Sequence, residues 1–162
     1  RMNWAGYPKD FLTNDAACKS FIERSVPTFK AITEHAANKG LNVCIENHWG
    51  PSSYPALLVD LIKRVDNPRF GTLPDFGNFP PDVDLYDAID RMMPYAKAVS
   101  AKCYDFDPKT GKETKLDFDR LIANVVEKHG YHGHIGIEYE GKRLSEFDGI
   151  KAGKKLLETL RT

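Results

Sequence analysis

Four residues with side chains suited to metal binding or proton transfer recur at nearly regular intervals along the 162-residue chain. They are Glu46, Asp75, Lys102 and Glu138, which are 29, 27 and 36 residues apart, and each interval is about the length of one strand and one helix. Carboxylates brought to one point repel each other unless a cation lies between them. A hard divalent ion such as Mn²⁺, Mg²⁺ or Co²⁺ suits such oxygen ligands, and Zn²⁺ is an alternative.

A metal held in this way would bind adjacent oxygens of a polyol and polarise a carbonyl, which makes the neighbouring proton easier to remove. Carboxylates on opposite sides of that carbon would serve as general base and general acid. Taken singly, each acidic residue at a strand end is more often a helix cap or a solvated loop residue. Their recurrence at matching places in consecutive units favours the functional interpretation.

Parallel strands are needed to bring these residues together, and the hydrophobic pattern predicts short strands alternating with helices. The predicted strands cover residues 41–46, 70–73, 98–104 and 134–139, after a stub at 2–4. The predicted helices cover residues 14–39 with a kink or a restart at Pro27, then 54–65, 85–93, 117–128 and 150–161. Residues 105–119 read as an exposed loop. This order predicts an α/β fold with a parallel sheet.

Alternation along each strand assigns its side chains to two faces, one apolar and one with polar groups near the C-terminal end. The polar faces carry Glu46 with His48, Ser100 with Lys102 and Tyr104, and Glu138 with Glu140. Parallel α/β structures place their sites at that end of the strands. The pattern therefore predicts a shared site.

Two further residue types near the strand ends carry open alternatives. His48 has a structural role, contacts substrate, or replaces a metal ligand. Trp4 and Trp49 either pack in the interior or wall a sugar pocket, because an aromatic face stacks on the apolar side of a pyranose. The three cysteines are widely spaced and odd in number, which indicates neither a disulfide framework nor a zinc site.

Composition narrows the classes of partner. Lys plus Arg and Asp plus Glu both number 23, and the sequence contains no run of basic residues that could follow a phosphate backbone. We therefore expect no nucleic-acid partner. No apolar run approaches the roughly 18 residues of a membrane span, and the first ten residues lack a signal-peptide pattern. We therefore expect a cytoplasmic location, with a removed upstream signal peptide as the open alternative. With 41% hydrophobic residues, a single domain over residues 1–162 is expected.

The runs GLNVCIENHWG, GTLPDFGNFP and GYHGHIGIEYEG resemble motifs of the sugar phosphate isomerase/epimerase superfamily. These xylose isomerase-like barrels include tagatose and psicose epimerases and inosose dehydratases. The similarity extends in order over nearly the whole chain. It implies that Glu46, Asp75 and Glu138 bind the divalent metal, and that Glu46 and Glu138 are the catalytic acid/base pair.

Two positions depart from the family pattern. Asn78 stands where a His is common; its amide can hydrogen-bond a sugar hydroxyl but cannot shuttle a proton near neutral pH. In the run SAKCYD, Ser100 stands at the position of the fourth metal ligand, a His, and Lys102 at the position of a Lys. The site is then either three-ligand with added water or substrate, or metal-poor with Lys102 supplying positive charge. The predicted substrate-binding residues are Trp4, His48, Asn78 and Lys102.

The length of the chain limits the barrel that it can form. A full barrel of this type needs about 250 residues, so the resemblance implies a partial TIM barrel of the xylose isomerase-like type, about strands 4 to 8. Open strand edges favour association. We therefore expect either a homo-oligomer or a missing N-terminal half.

The resulting function is a metal-dependent sugar isomerase or epimerase, which moves a proton next to a carbonyl of a sugar or polyol. One alternative is a keto-inositol-type dehydratase within the same superfamily. Another is a non-catalytic partial barrel that only binds carbohydrate. An apurinic endonuclease is disfavoured, because such enzymes assemble several zinc ions with many His ligands and this chain has five His in total.

Overall fold

Helices and short strands alternate in the computed structural model, which describes residues 1–160. The strands are β1 (Val43–Glu46), β2 (Phe70–Leu73), β3 (Val99–Cys103) and β4 (Ile135–Tyr139). The helices are α1 (Asp15–Ala37), α2 (Pro55–Val65), α3 (Leu85–Met92), α4 (Phe118–Ile122) and α5 (Glu146–Thr159). Two 3₁₀ turns, Gly50–Ser53 and Met93–Tyr95, precede α2 and follow α3. The predicted order of elements is confirmed.

Both pairs of strands are parallel, as an α/β fold requires. The chain divides into two compact units, and β1 pairs with β2 in the first unit while β3 pairs with β4 in the second. The first unit comprises residues 1–74 and 78–97, and the second comprises residues 75–77 and the described part of 98–162.

The first unit is built on β1 and β2, with Glu46 opposite Leu73 in the register. The predicted stub is represented by Met2, which bridges Ile45 and whose amide donates to the carbonyl of Cys44 at 2.8 Å. The hydrophobic core of this unit is formed mainly by side chains of α1, α2 and the two strands, among them Phe21, Phe29, Ile45, Leu58, Leu61 and Phe70.

Helix α1 begins where the sequence predicts, because the Asn14 side chain accepts a hydrogen bond from the amide of Ala17. A restart at Pro27 is wrong, since α1 runs without a break to Ala37, and the alternative of a kink stays a prediction. Pro27 has no amide hydrogen to donate to the carbonyl of Glu23. Both residues lie on the exposed face of α1, where water can donate a hydrogen bond to that carbonyl.

The second unit is built on β3 and β4, with Lys102 opposite Glu138. Helix α5 begins four residues before the predicted start at Ile150, because the Ser145 hydroxyl accepts from the amide of Asp148 and caps the helix. Its predicted end at Arg161 lies outside the described residues. Helix α4 continues beyond Ile122 as a π-helical stretch to Lys128.

The predicted exposed loop after β3 is organised by one acidic side chain. Glu113 is only 8% exposed. Its carboxylate accepts hydrogen bonds from the amides of Tyr104 and Asp105, each at 3.0 Å, and from those of Lys115 and Leu116. Alternation and composition gave no sign of this role, because the four donors are brought together only when the loop closes.

The remaining predictions about the chain as a whole concern cysteines and membranes. All three cysteines are free, with Cys18 and Cys103 buried and Cys44 partly exposed. Burial raises the pKa of Cys103 to about 12, so this thiol is inert at neutral pH. Within residues 1–160, no helix has both the length and the apolar character needed to cross a bilayer.

Candidate functional site

In the first unit, the C-terminal end of β1 carries a buried acid. Glu46 is the last residue of β1 and is 2% exposed. Its carboxylate accepts a hydrogen bond from the guanidinium of Arg1, and the Nδ1 atom of His48 lies 3.7 Å from its Oε2 atom. Arg1 was not among the predicted site residues, because nothing in its local sequence links it to β1.

His48 and Asn78 lie side by side in the same unit. The Nδ2 atom of Asn78 is 3.3 Å from the Nδ1 atom of His48. Asn78 is 9% exposed and has a left-handed backbone (φ 61°), and its carbonyl accepts a hydrogen bond from the buried Ser53 hydroxyl at 2.7 Å. Both polar side chains therefore stand near Glu46, where a hydroxylated ligand would find hydrogen-bonding groups.

In the second unit, Asp75 is completely buried. It pairs with Ser100 in a parallel bridge, and its carboxylate accepts hydrogen bonds from the Gly77 amide at 2.9 Å and from the Ser100 hydroxyl. Burial raises the pKa of Asp75 above its usual value, although both hydrogen bonds and the charge of Lys102 oppose the shift. A nearby cation would therefore stabilise this carboxylate considerably.

Lys102 is also completely buried, on the face predicted from strand alternation. Its Nζ atom lies 3.0 Å from Glu140 and 3.6 Å from Glu138. Burial by itself lowers the pKa of Lys102, but the hydrogen bond to Glu140 and the neighbouring carboxylates outweigh it and raise the pKa. The side chain is thus a fixed positive charge that acts on these two carboxylates.

The second unit brings Asp75, Lys102 and Glu138 together. One carboxylate oxygen of Asp75 lies within 4.8 Å of one of Glu138. The Glu138 side chain is 40% exposed, so solutes can reach it. Two carboxylates this close, one of them fully buried, form a donor set that suits a hard divalent cation better than a soft one.

Tyr104 is a residue of this cluster to which the sequence gave no role. A methyl group on Gly77 would lie 2.4 Å from the Tyr104 hydroxyl and 2.6 Å from Cδ of Lys102, so the absence of a side chain at Gly77 lets both approach. Burial raises the pKa of Tyr104, which keeps its hydroxyl protonated and able to donate. The sequence feature that could have indicated a role for Tyr104 is its place on the same strand face as Lys102.

The two tryptophans differ in their surroundings. Trp4 is 5% exposed, its indole N–H donates to the Ser25 hydroxyl at 2.9 Å, and its ring stacks on Phe21 with centroids 5.1 Å apart. These contacts correspond to the packing alternative left open by the sequence, and the predicted substrate role of Trp4 stays a prediction. Trp49 is 56% exposed.

Comparisons with known proteins place these observations in context. A family profile described as xylose isomerase-like TIM barrel matches residues 1–161. A comparison with curated proteins finds no match.

Several solved structures share the fold. One is a xylose isomerase-like TIM barrel protein from Mycobacterium smegmatis in complex with magnesium, with 23% identity and a TM-score of 0.68 over 87% of this chain and 51% of that chain. Another is D-psicose 3-epimerase with D-tagatose from Clostridium cellulolyticum H10, with 18% identity and a TM-score of 0.63 over 88% and 56%. A third is the probable 3-DHS dehydratase AsbF from Bacillus anthracis, with 16% identity and a TM-score of 0.63 over 96% and 60%. The chain thus spans between one half and two thirds of each of these proteins.

Proposed function

The chain belongs to the xylose isomerase-like TIM barrel family, and from this membership we propose that it is part of a metal-dependent sugar isomerase or epimerase. The observation that carries the proposal is the close approach of buried Asp75 to Glu138, next to the ammonium group of Lys102. D-psicose 3-epimerase shares the fold, and epimerisation next to a carbonyl requires a proton to leave and rejoin that carbon.

We propose further that Glu46 joins Asp75 and Glu138 in one site. Within the first unit Glu46 is opposite Leu73, and Asp75 is two residues beyond Leu73 along the chain. Within the second unit Asp75 is opposite Ser100, and Lys102, two residues beyond Ser100, is opposite Glu138. Each acid thus stands at or just beyond the C-terminal part of a parallel strand, the end at which barrels of this type build their sites.

Glu46, Asp75 and Glu138 would hold a divalent cation, and their oxygen donors fit Mg²⁺, Mn²⁺ or Co²⁺, with Zn²⁺ as a further possibility. When bound, such an ion supplies Lewis acidity that polarises a substrate carbonyl. Ser100, at the position where the family resemblance expects a His ligand, donates instead to Asp75. This hydrogen bond orients the carboxylate within the site.

The chain's own residues account for the proton transfers. One carboxylate of the Glu46 and Glu138 pair removes the proton from the carbon next to the carbonyl, and the C–H electron pair moves into an enediolate. The other, in its acid form, returns a proton to the opposite face of that carbon in an epimerisation. In an isomerisation the proton returns to the neighbouring carbon, while the hydroxyl proton moves from the oxygen that becomes the new carbonyl oxygen to the oxygen of the former carbonyl. His48 and Asn78 would hydrogen-bond substrate hydroxyls, and Lys102 would hold Glu138 in position.

Substitution of each proposed acid or base tests this function. In the metal-supplemented chain, Glu46→Gln and Glu138→Gln are expected to lower the conversion of D-tagatose and other ketohexoses by about 10²–10⁴-fold. The exchange of the transferred proton with D₂O should fall in parallel. Glu158→Gln, an exposed acid on α5, is the matched control. Full activity in either active-site variant, with the fold retained by circular dichroism, would exclude the proposed mechanism.

A dehydratase is the second candidate, supported by the shared fold of the probable 3-DHS dehydratase and by Tyr104. The same carboxylates would remove the proton, and the protonated Tyr104 hydroxyl would donate to a departing hydroxyl group, which leaves as water. An ultraviolet assay for a conjugated enone distinguishes this reaction from epimerisation. Tyr104→Phe should abolish enone formation, whereas it should leave proton exchange at the carbon largely intact.

Because the chain covers about half of its structural relatives, the activity of a whole barrel is itself part of the proposal. We propose that residues 1–162 form the C-terminal part of one barrel domain, completed by an N-terminal half or by a second copy. Solution mass measurement tests self-completion, which a stable monomer contradicts. The non-catalytic alternative predicts calorimetric binding of sugar without binding of any divalent metal.

A further inference from the structure

We propose that Trp49 is a stacking platform for the apolar face of a sugar ring, and therefore a residue that contributes to sugar affinity at the end of β1. This inference rests on the proposed function in one respect, which is that the ligand is a sugar. It concerns a residue that neither the metal-binding nor the proton-transfer proposal uses.

The backbone of Trp49 has an unusual conformation. Its φ of 60° and ψ of 165° fall in a region that is almost restricted to glycine, because a Cβ atom is crowded there. Among residues 1–160, two other non-glycine residues have positive φ, and one of them, Asp66 at φ 49° and ψ 55°, is in the left-handed region that Asp tolerates. A bulky indole in the more restricted region persists only when the surroundings impose it.

A buried hydroxyl imposes this conformation. Ser52 is 2% exposed, and its hydroxyl accepts a hydrogen bond from the His48 amide and donates one to the Trp49 carbonyl, both at 3.0 Å. These two bonds bracket Trp49 on both sides. The chain then enters the 3₁₀ turn Gly50–Ser53, in which Pro51, Ser52 and Ser53 are buried. The peptide that carries the indole is therefore fixed on its C-terminal side.

Packing within residues 1–160 does not explain why a Trp occupies this fixed and strained position. The residue is 56% exposed, whereas Trp4 in the same unit is 5% exposed. The indole thus remains in solvent although its backbone is strained and clamped. Strained backbone of this kind is concentrated at ligand-binding sites, and exposed aromatic rings on rigid supports are efficient contact surfaces.

Trp49 lies close along the chain to the polar groups at the end of β1. Trp49 follows Glu46 by three residues, so the two Cα atoms are at most about 11 Å apart. The intervening region also carries the polar His48 side chain, which lies beside Asn78. A hexose or pentose in ring form presents C–H groups on one face and hydroxyls at its edge. The face would contact the indole while the edge hydroxyls reach His48 and Asn78.

The inference is tested by sugar affinity and thermal stability measured on the same variants, with D-tagatose as the probe and Mg²⁺ present. Trp49→Ala should weaken binding roughly 3–10-fold by calorimetry, the range expected for loss of one aromatic contact. Trp49→Phe should retain affinity within about 3-fold. Trp49→Gly should bind sugar as weakly as Trp49→Ala does. Its Tm should nevertheless be higher than that of Trp49→Ala, because glycine relieves the backbone strain. Asp66→Gly, at another positive-φ position, should leave sugar affinity unchanged.

The intrinsic fluorescence provides a second reading, because Trp4 is buried and Trp49 is exposed. Sugar should shift the emission and protect it from iodide in the wild type, and have neither effect in Trp49→Phe. The inference would be overturned if Trp49→Ala bound sugar with wild-type affinity, or if Trp49→Gly had a lower Tm than Trp49→Ala. If Trp49→Ala keeps its KM in an active enzyme, only this inference fails; if Glu46→Gln is fully active while Trp49→Ala binds sugar weakly, only the proposed function fails.

Discussion

Replacing Lys102 by Met removes the buried positive charge and keeps a side chain of similar length and apolar volume. The ammonium group lies 3.0 Å from Glu140 and 3.6 Å from Glu138, and is itself completely buried. Breaking a fully buried ion pair costs about 3–5 kcal/mol, whereas an exposed pair contributes about 0–1 kcal/mol. The two carboxylate partners are 49% and 40% exposed, so solvent screens the loss. We therefore expect Lys102→Met to lower the free energy of unfolding by about 1–3 kcal/mol.

Urea unfolding of the chelator-treated chain at pH 7 measures this loss. The raised pKa of Lys102 fixes the sign of the pH dependence: its contribution is fully present below the ordinary pKa of lysine and is lost only as pH rises through the raised value. The difference between wild type and variant should thus be constant from pH 6 to about 9. Mg²⁺ should raise the Tm of Lys102→Met more than that of the wild type, because it replaces the missing charge.

Lys112→Met is the matched control for this experiment. Lys112 lies 2.9 Å from Asp119, and both side chains are more than half exposed. The control should change stability far less than Lys102→Met does, because solvent screens an exposed ion pair, and it should not respond to Mg²⁺ differently from the wild type. Equal losses in the two variants, or a loss in Lys102→Met that Mg²⁺ leaves untouched, would refute the assignment of Lys102 as a charge that holds the carboxylates.

Two further predictions concern residues at the ends and in the middle of the strands. Burial raises the pKa of Asp75, so the native state holds this proton more tightly than the unfolded chain, and metal-free stability should fall as pH rises past the ordinary Asp pKa. Asp75→Asn should flatten this decline in urea unfolding between pH 4 and 7; an unchanged slope would contradict the buried carboxylate as its source. Gly71→Ala should cost about 1–3 kcal/mol in urea unfolding, because its Cβ would lie 2.1 Å from the carbonyl oxygen of Tyr95. Gly136→Ala, whose Cβ would meet its nearest neighbour at 3.7 Å, is the control, and equal losses would rule out the steric explanation.

Much of the fold was predictable because its signals are local. Hydrophobic periodicity placed the helices, and β-rich runs placed the four described strands within two residues of their observed ends. The errors arose where a distant or subtle feature decided the outcome. Pro27 did not end α1 because the carbonyl that it leaves unpaired faces water, and α5 began early because Ser145 caps it.

The sequence by itself determined the family, the α/β order of elements and the placement of Glu46, Asp75 and Glu138 near successive strand ends. It did so because strand alternation and motif spacing depend only on neighbours along the chain. Only the tertiary structure decided that Lys102 is buried between Glu138 and Glu140, that Glu113 organises its loop, and that the Trp49 backbone is held in a strained conformation. These features depend on groups that the folded backbone brings together, across as many as 38 residues in the pairing of Lys102 with Glu140. Sequence periodicity carries no information about which of the available partners a side chain will meet.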